Sequence, residues 1–125
     1  MKFEDIIRSI SEEFIQAWNK WDIERMMKCL TADVRLQSPN VSLIYPENDT
    51  NILVGKELVQ SYWSQLSQRK EAFEVVQISL VKVDLRVTTM NRVVGTDIVI
   101  RKSFTMNEYG KINDLVYEYR NSPFL

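Results

Sequence analysis

Residues 14–39, FIQAWNKWDIERMMKCLTADVRLQSP, carry the reading that decides the fold. They hold the end of one amphipathic helix, a short second helix and a first strand that reaches Ser38 and Pro39. Phe14, Ala17, Trp18 and Trp21 continue, at spacings of three and four, the apolar positions Phe3, Ile6, Ile7 and Ile10. That period predicts one helix over residues 3–21 with a single apolar stripe. Asp22 is suited to cap a second helix, its carboxylate accepting a first-turn amide. Ile23, Met26, Met27 and Leu30 would face inward from it, with an end near Thr31. Val34 to Ser38 then alternates apolar and polar, as a half-buried strand does. Pro39 lacks an amide donor and ends that strand or sets it at an edge.

Outward from this stretch, residues 40–54 (NVSLIYPENDTNILV) read as a long connection. Pro46, Asn48, Asp49 and Asn51 are turn formers. Val41, Leu43, Ile44 and Tyr45 make it a candidate lid or interface element. Gly55 precedes KELVQSYWSQL, a third helix with Leu58, Val59, Tyr62, Trp63 and Leu66 on one face. Strands follow over residues 73–81, 85–94, 98–106 and 111–120. Turns fall at Val83-Asp84, at Gly95 and over Asn107–Gly110, and residues 121–125 form a tail. Helices grouped apart from a strand meander predict an α+β fold. A sheet bent strongly around its helices leaves a cavity between the two.

The chain has 125 residues, enough for a single domain over residues 1–125. It is 45% hydrophobic and 26% charged, ordinary values for a globular protein. No apolar run approaches the ~20 residues that span a bilayer, and acids interrupt the apolar N-terminus, so neither a membrane segment nor a signal peptide is expected. A cytoplasmic location is the expectation. The net charge is −1 with scattered basic residues, which argues against nucleic acid as a partner. There is no histidine, and Cys29 is the single cysteine. Ser-His-Asp triads, Cys-His pairs and histidine-ligated zinc are thereby excluded. No metal and no cofactor is expected. Cys29, in step with Met26 and Leu30, reads as a small core hydrophobe.

The stretch at 14–39, together with VGKELVQSYWSQL and the late MNEYGKINDLVYEYR, resembles the nuclear transport factor 2-like superfamily. Within it the likeness is to the SnoaL-like polyketide cyclase and ketosteroid isomerase branch. The pieces that carry it are the aromatic-rich helix, the Asp-led second helix, T-A-D at the first strand, G-K-E into a helix containing Y-W, and G-K-I opening the last strand. The resemblance implies one SnoaL-like domain shaped as a cone-like α+β barrel. Three helices from the N-terminal half would pack on a strongly bent antiparallel sheet, with a pocket at the open end. It also implies homodimers through the outer sheet face. The fold hosts enzymes and non-catalytic adaptors alike, so it does not select a function.

The steroid isomerase branch implies a base Asp before a Pro at the end of the first strand. Ser38 stands there, and no histidine can activate its hydroxyl. The branch also implies a Tyr donor on the first helix, where Phe14 stands. A protonated acid on a late strand is implied around Val99–Lys102, where no acid is found. These departures argue against ketosteroid-type isomerisation. Asp97 and Ser38 remain the catalytic candidates. Asp33 matches a residue that anchors backbone amides, and Asp114 could face either way. The expected ligand pocket comprises Phe14, Trp18, Leu36, Ser38, Tyr62, Trp63, Arg101 and Tyr117, with Tyr119 a further aromatic. Arg101 and Lys102 are adjacent on one strand, so one of them points inward; the pocket set takes Arg101, and the register leaves either open. The expected function is binding of a small, mostly apolar ligand in the cone, with cyclase-, isomerase- or dehydratase-like chemistry as the enzymatic form. The alternative is a non-catalytic dimerising module for protein contact.

Overall fold

A computed structural model describes residues 3–68 and 74–121. Helix α1 spans Phe3–Lys20 and α2 spans Ile23–Lys28. Strand β1 (Leu30–Gln37) is followed by a one-turn helix α3 (Val41–Ile44), strand β2 (Ile52–Val54) and helix α4 (Lys56–Gln68). Strands β3 (Val75–Val83), β4 (Arg86–Val93), β5 (Ile98–Met106) and β6 (Ile112–Asn121) complete the chain. The six strands form one sheet in the order β2-β1-β6-β5-β4-β3. All neighbours are antiparallel except β1 and β6, which run parallel. The α+β architecture read from the sequence is the one observed.

The α1–α2 corner is a Schellman ending built on an unusual residue. The Asp22 amide donates to the Ala17 carbonyl and the Trp21 amide to the Trp18 carbonyl, both at 2.9 Å. Trp21 occupies the left-handed region that this motif requires, at φ 49°. Glycine is the usual choice there, and a Cβ costs roughly 1–2 kcal/mol. The indole offsets part of that cost by lying 4.7 Å from the Trp18 ring. Asp22 then caps α2 by accepting from the Arg25 amide at 3.2 Å.

The sheet bends where its registers slip. Irregularities fall between Leu30 and Arg35 in β1, between Gln77 and Ser79 in β3, and opposite Thr105 and Met106, where β6 carries the extra residue Asn113. An extra residue at such a point bends and twists the strand that carries it. The concave face closes on α1 and α4. Phe14 packs against Trp63 and Phe104, with ring centroids 5.7 and 5.4 Å apart. Asn19 fixes the far end of α1 to the sheet: its amide donates to the Val75 carbonyl at 3.0 Å and accepts from the Val75 N–H at 2.9 Å. Side chain thus pairs with backbone at the one point where β3 is buried.

Several boundaries differ from the sequence reading. β1 starts at Leu30, four residues before Val34, because Leu30 pairs with Ile112 across the parallel edge. The 40–54 connection is not free of regular structure. β2 pairs with β1, and Asn51 joins the two halves of the connection: its carbonyl accepts from the Ser38 amide and its side chain from the Ser42 amide. Leu58, expected inward, is 49% exposed, while Val59, Tyr62, Trp63 and Leu66 are buried. Gly55, at φ 103°, turns the chain from β2 into α4 while its amide donates to the Val34 carbonyl. The side chains of Phe3, Ile6, Ile7 and Ile10, the strand start at Phe73 and the tail beyond Asn121 lie outside the described residues. Among the described residues, no helix is long and apolar enough to cross a membrane.

Candidate functional site

Strand register assembles the site. Thr89 on β4, Lys102 on β5 and Tyr117 on β6 are lateral neighbours across the concave face. Gln37 pairs with Val116, so Ser38, one residue past β1, extends this row beside Tyr117. A second row runs Asn91, Ile100, Tyr119. Thr89, Asn91, Lys102 and Ser38 are the buried polar side chains of the described residues, and no carboxylate is among them.

Lys102 is the chemical centre of this face. Its side chain is fully buried, and Nζ has no hydrogen-bond partner. The amine lies 4.0 Å from the centre of the Trp18 ring and 5.4 Å from that of Tyr117. Burial pushes its pKa from 10.5 down to about 7. The ring faces act the other way, since their negative quadrupoles favour the ammonium. Desolvation exceeds that effect because no anion stands by to compensate.

Around the amine, other polar groups also lack partners. The Tyr117 hydroxyl, Asn91 Oδ1 and the indole N–H groups of Trp21 and Trp63 are buried without a hydrogen bond. Asn91 spends its amide on Thr89 Oγ1, at 2.8 Å. Burial, with Tyr119 and Tyr62 nearby, holds the Tyr117 phenol well above its ordinary range. Native interiors satisfy most such groups, so unsatisfied atoms on Lys102, Asn91 and Tyr117 in one sheet face are a concentration that calls for a cause. Beside them, Ser38 Oγ accepts from the Asn40 amide at 3.3 Å and from the Tyr62 hydroxyl at 3.5 Å. Asn40 Nδ2 donates to the Tyr119 hydroxyl at 3.1 Å. Burial raises the Tyr119 pKa, and its hydrogen bonds to Ser38 and Asn40 oppose this.

The structure sets Phe14, Trp18, Leu36, Ser38, Tyr62, Trp63 and Tyr117 in buried positions on or under this face. Arg101 is a correction. It points to the convex side, with its guanidinium 3.7 Å from Glu118, because Lys102 takes the inward parity. There it lines an open groove of about 290 Å³ with Arg86, Thr88, Ser103, Val116 and Glu118. Asp97 is an exposed carboxylate in the turn before β5. Asp33 is exposed, and Asp114 pairs with Arg35 at 3.3 Å on the outer side. Cys29 sits in the core, donates to the Arg25 carbonyl, and has its thiol pKa raised by burial. A second groove, of about 510 Å³, lies at the start of α4 between Ala32, Gly55 and Leu58, and none of the expected pocket residues lines it. No group of three or more His, Cys, Asp or Glu side chains stands together among the described residues.

The signal for Lys102 was present in β5. In IVIRKSFTM, the parity of Ile100, Phe104 and Met106 is the apolar one, and Lys102 shares it. Asn91 stands likewise between Val87 and Val93 on the buried parity of β4.

No family model and no curated protein matches the chain. Solved structures do. A SnoaL-like protein of unknown function from Burkholderia thailandensis E264 is 18% identical, with a TM-score of 0.82, over 97% of this chain and 100% of that one. A nuclear transport factor 2-like protein of unknown function from Burkholderia xenovorans LB400 is 14% identical, covering 98% and 88% of the two chains, with a TM-score of 0.75. TerC, co-crystallised with polyporic acid, is 13% identical over 92% of each chain, with a TM-score of 0.75. These likenesses bear out the fold read from the sequence: the chain has the α+β cone fold of those proteins.

Proposed function

We propose that the protein binds a small, mostly apolar molecule in the cone and holds a carbonyl or anionic oxygen of that molecule on Lys102 Nζ. One observation carries this reading: a buried amine with no hydrogen-bond partner, set against an aromatic face on the concave side of the sheet. The co-crystallisation of TerC with polyporic acid lends it support. Lys102 lies in the segment where the isomerase branch would place its second oxyanion donor. An ammonium can serve that role, but Phe14 lacks the first donor and Ser38 the base. The arrangement therefore suits binding and polarisation of an oxygen rather than proton abstraction next to a carbonyl.

Tryptophan emission reports on the site directly, since Trp18 lies under the amine. Titration with benzoate and with acetophenone should change that emission in a saturable way. Lys102→Met should weaken the better of the two about tenfold or more, the loss expected for a hydrogen bond to a charged group. Emission unchanged by both compounds would count against the pocket.

We further propose that two copies associate through the outer sheet face. Val76, Val81 and Val83 are exposed there, on the parity of Thr88 and Met90. Light scattering at micromolar concentration should give the mass of two chains; a monomer removes this part of the proposal and favours exposure of that face for another purpose.

A further inference from the structure

We infer that Lys102 is a covalent site, its amine condensing with an apolar aldehyde or ketone in the cone to form an imine. The inference rests on the proposed pocket and goes further by naming the substrate class as an electrophilic carbonyl. Among the buried polar side chains of the described residues there is no carboxylate and no second cation beside Lys102, only the hydroxyls of Thr89, Tyr117 and Ser38 in its row. Placing a lysine in an apolar pocket without a counter-ion is how an amine is kept unprotonated and nucleophilic near neutral pH. Burial lowers the Lys102 pKa to about 7, in keeping with that geometry.

The step balances without a further reactant. The nitrogen lone pair attacks the carbonyl carbon and the C–O π pair moves to oxygen, and one proton passes from nitrogen to that oxygen to give a carbinolamine. The second nitrogen proton then passes to the hydroxyl as the C=N bond forms and the C–O bond breaks, so amine and carbonyl leave as imine and water. The Tyr117 hydroxyl, buried beside Lys102 and lacking a hydrogen-bond partner, is the group placed to pass that proton. The substrate's carbon frame would lie against the Trp18 and Tyr117 rings, whose centres are 4.0 and 5.4 Å from the amine.

Benzaldehyde with sodium cyanoborohydride tests this on the wild-type chain. At pH 7, peptide mapping should find one benzyl group on Lys102, at an occupancy about tenfold or more above that of the exposed Lys20, Lys28 or Lys111. Lys102→Met should lose that adduct and keep the surface background. Benzyl groups on exposed lysines with Lys102 unmodified would overturn the inference. Tryptophan emission recorded with benzaldehyde before reduction separates the two proposals: a saturable response without a Lys102 adduct refutes the imine and leaves the pocket, whereas neither response nor adduct refutes both.

Discussion

Lys102→Met is expected to stabilise the protein at pH 6 by about 4 to 5 kcal/mol, the value of a displacement from 10.5 to about 7 at 1.36 kcal/mol per pH unit. The sign follows from proton counting. The pKa in the folded chain lies below that in the unfolded chain, so between pH 7 and 10 the unfolded chain binds more protons and wild-type stability rises with pH. Below pH 7 the folded state carries the full penalty of a buried ammonium. Methionine has a similar length, fills the same volume and has no charge to desolvate. The gap between variant and wild type should be widest at pH 6 and narrow steadily toward pH 9.5. Urea unfolding at pH 6, 8 and 9.5 checks it. The series should stop below pH 10, because Tyr117 and Tyr119 have raised values and their neutral forms begin to lose stability as pH passes the unfolded tyrosine value. A gap independent of pH would show that Lys102 is charged or solvated in the folded chain.

Trp63→Ala is the second large effect, a loss of about 3 to 5 kcal/mol. Trp63 is fully buried and packs at a tilt on Phe14, which in turn packs edgewise on Phe104. Removing the indole unsupports one helix, α4, and the centre of another, α1, over the same part of the sheet. Total stability for a domain of this size is roughly 5–15 kcal/mol, so the variant gives up a large part of it. Leu58→Ala is the matched control: Leu58 is on the same helix but 49% exposed, and its loss should stay within about 0.5 kcal/mol. Midpoints of urea unfolding for the two variants decide the matter. Equal losses would mean that α4 is rotated relative to the packing described above.

How far the sequence could be read depended on periodicity. The stripe through Phe14, Ala17 and Trp18 was long enough to define α1, and the three residues are buried as the stripe requires. The Asp22 cap was legible because capping is a local interaction. β2 was not, since three residues carry too little pattern and their pairing with Arg35–Gln37 is set by the return of the chain from Asn51. The parallel β1–β6 pair joins residues some 80 positions apart, which no local pattern records. Leu58 misled because Leu at a helical spacing of one from Val59 sits at the edge of the apolar stripe, where tertiary packing decides its side.

The buried face was legible in its apolar members and only half so in its polar ones. Phe14, Trp18, Tyr62 and Trp63 followed from helix faces. Arg101 and Lys102 differed by one residue, and a shift of one exchanges the faces of a strand. Arginine in the cone and lysine outside would have been an anion site of ordinary kind. The observed parity instead pairs Arg101 with Glu118 in solvent and leaves the lysine alone among aromatic rings. Tyr117 and Asn91 carry unsatisfied atoms in the same face, which a core evolved for packing alone would have replaced with apolar groups.

The protonation state of the Lys102 amine can be read directly. Titration of the Lys102 Cε signal by carbon-13 NMR, assigned by its absence in Lys102→Met, should give a midpoint near 7 in the ligand-free protein. A midpoint at about 10.4, the value of a solvated lysine, would contradict it.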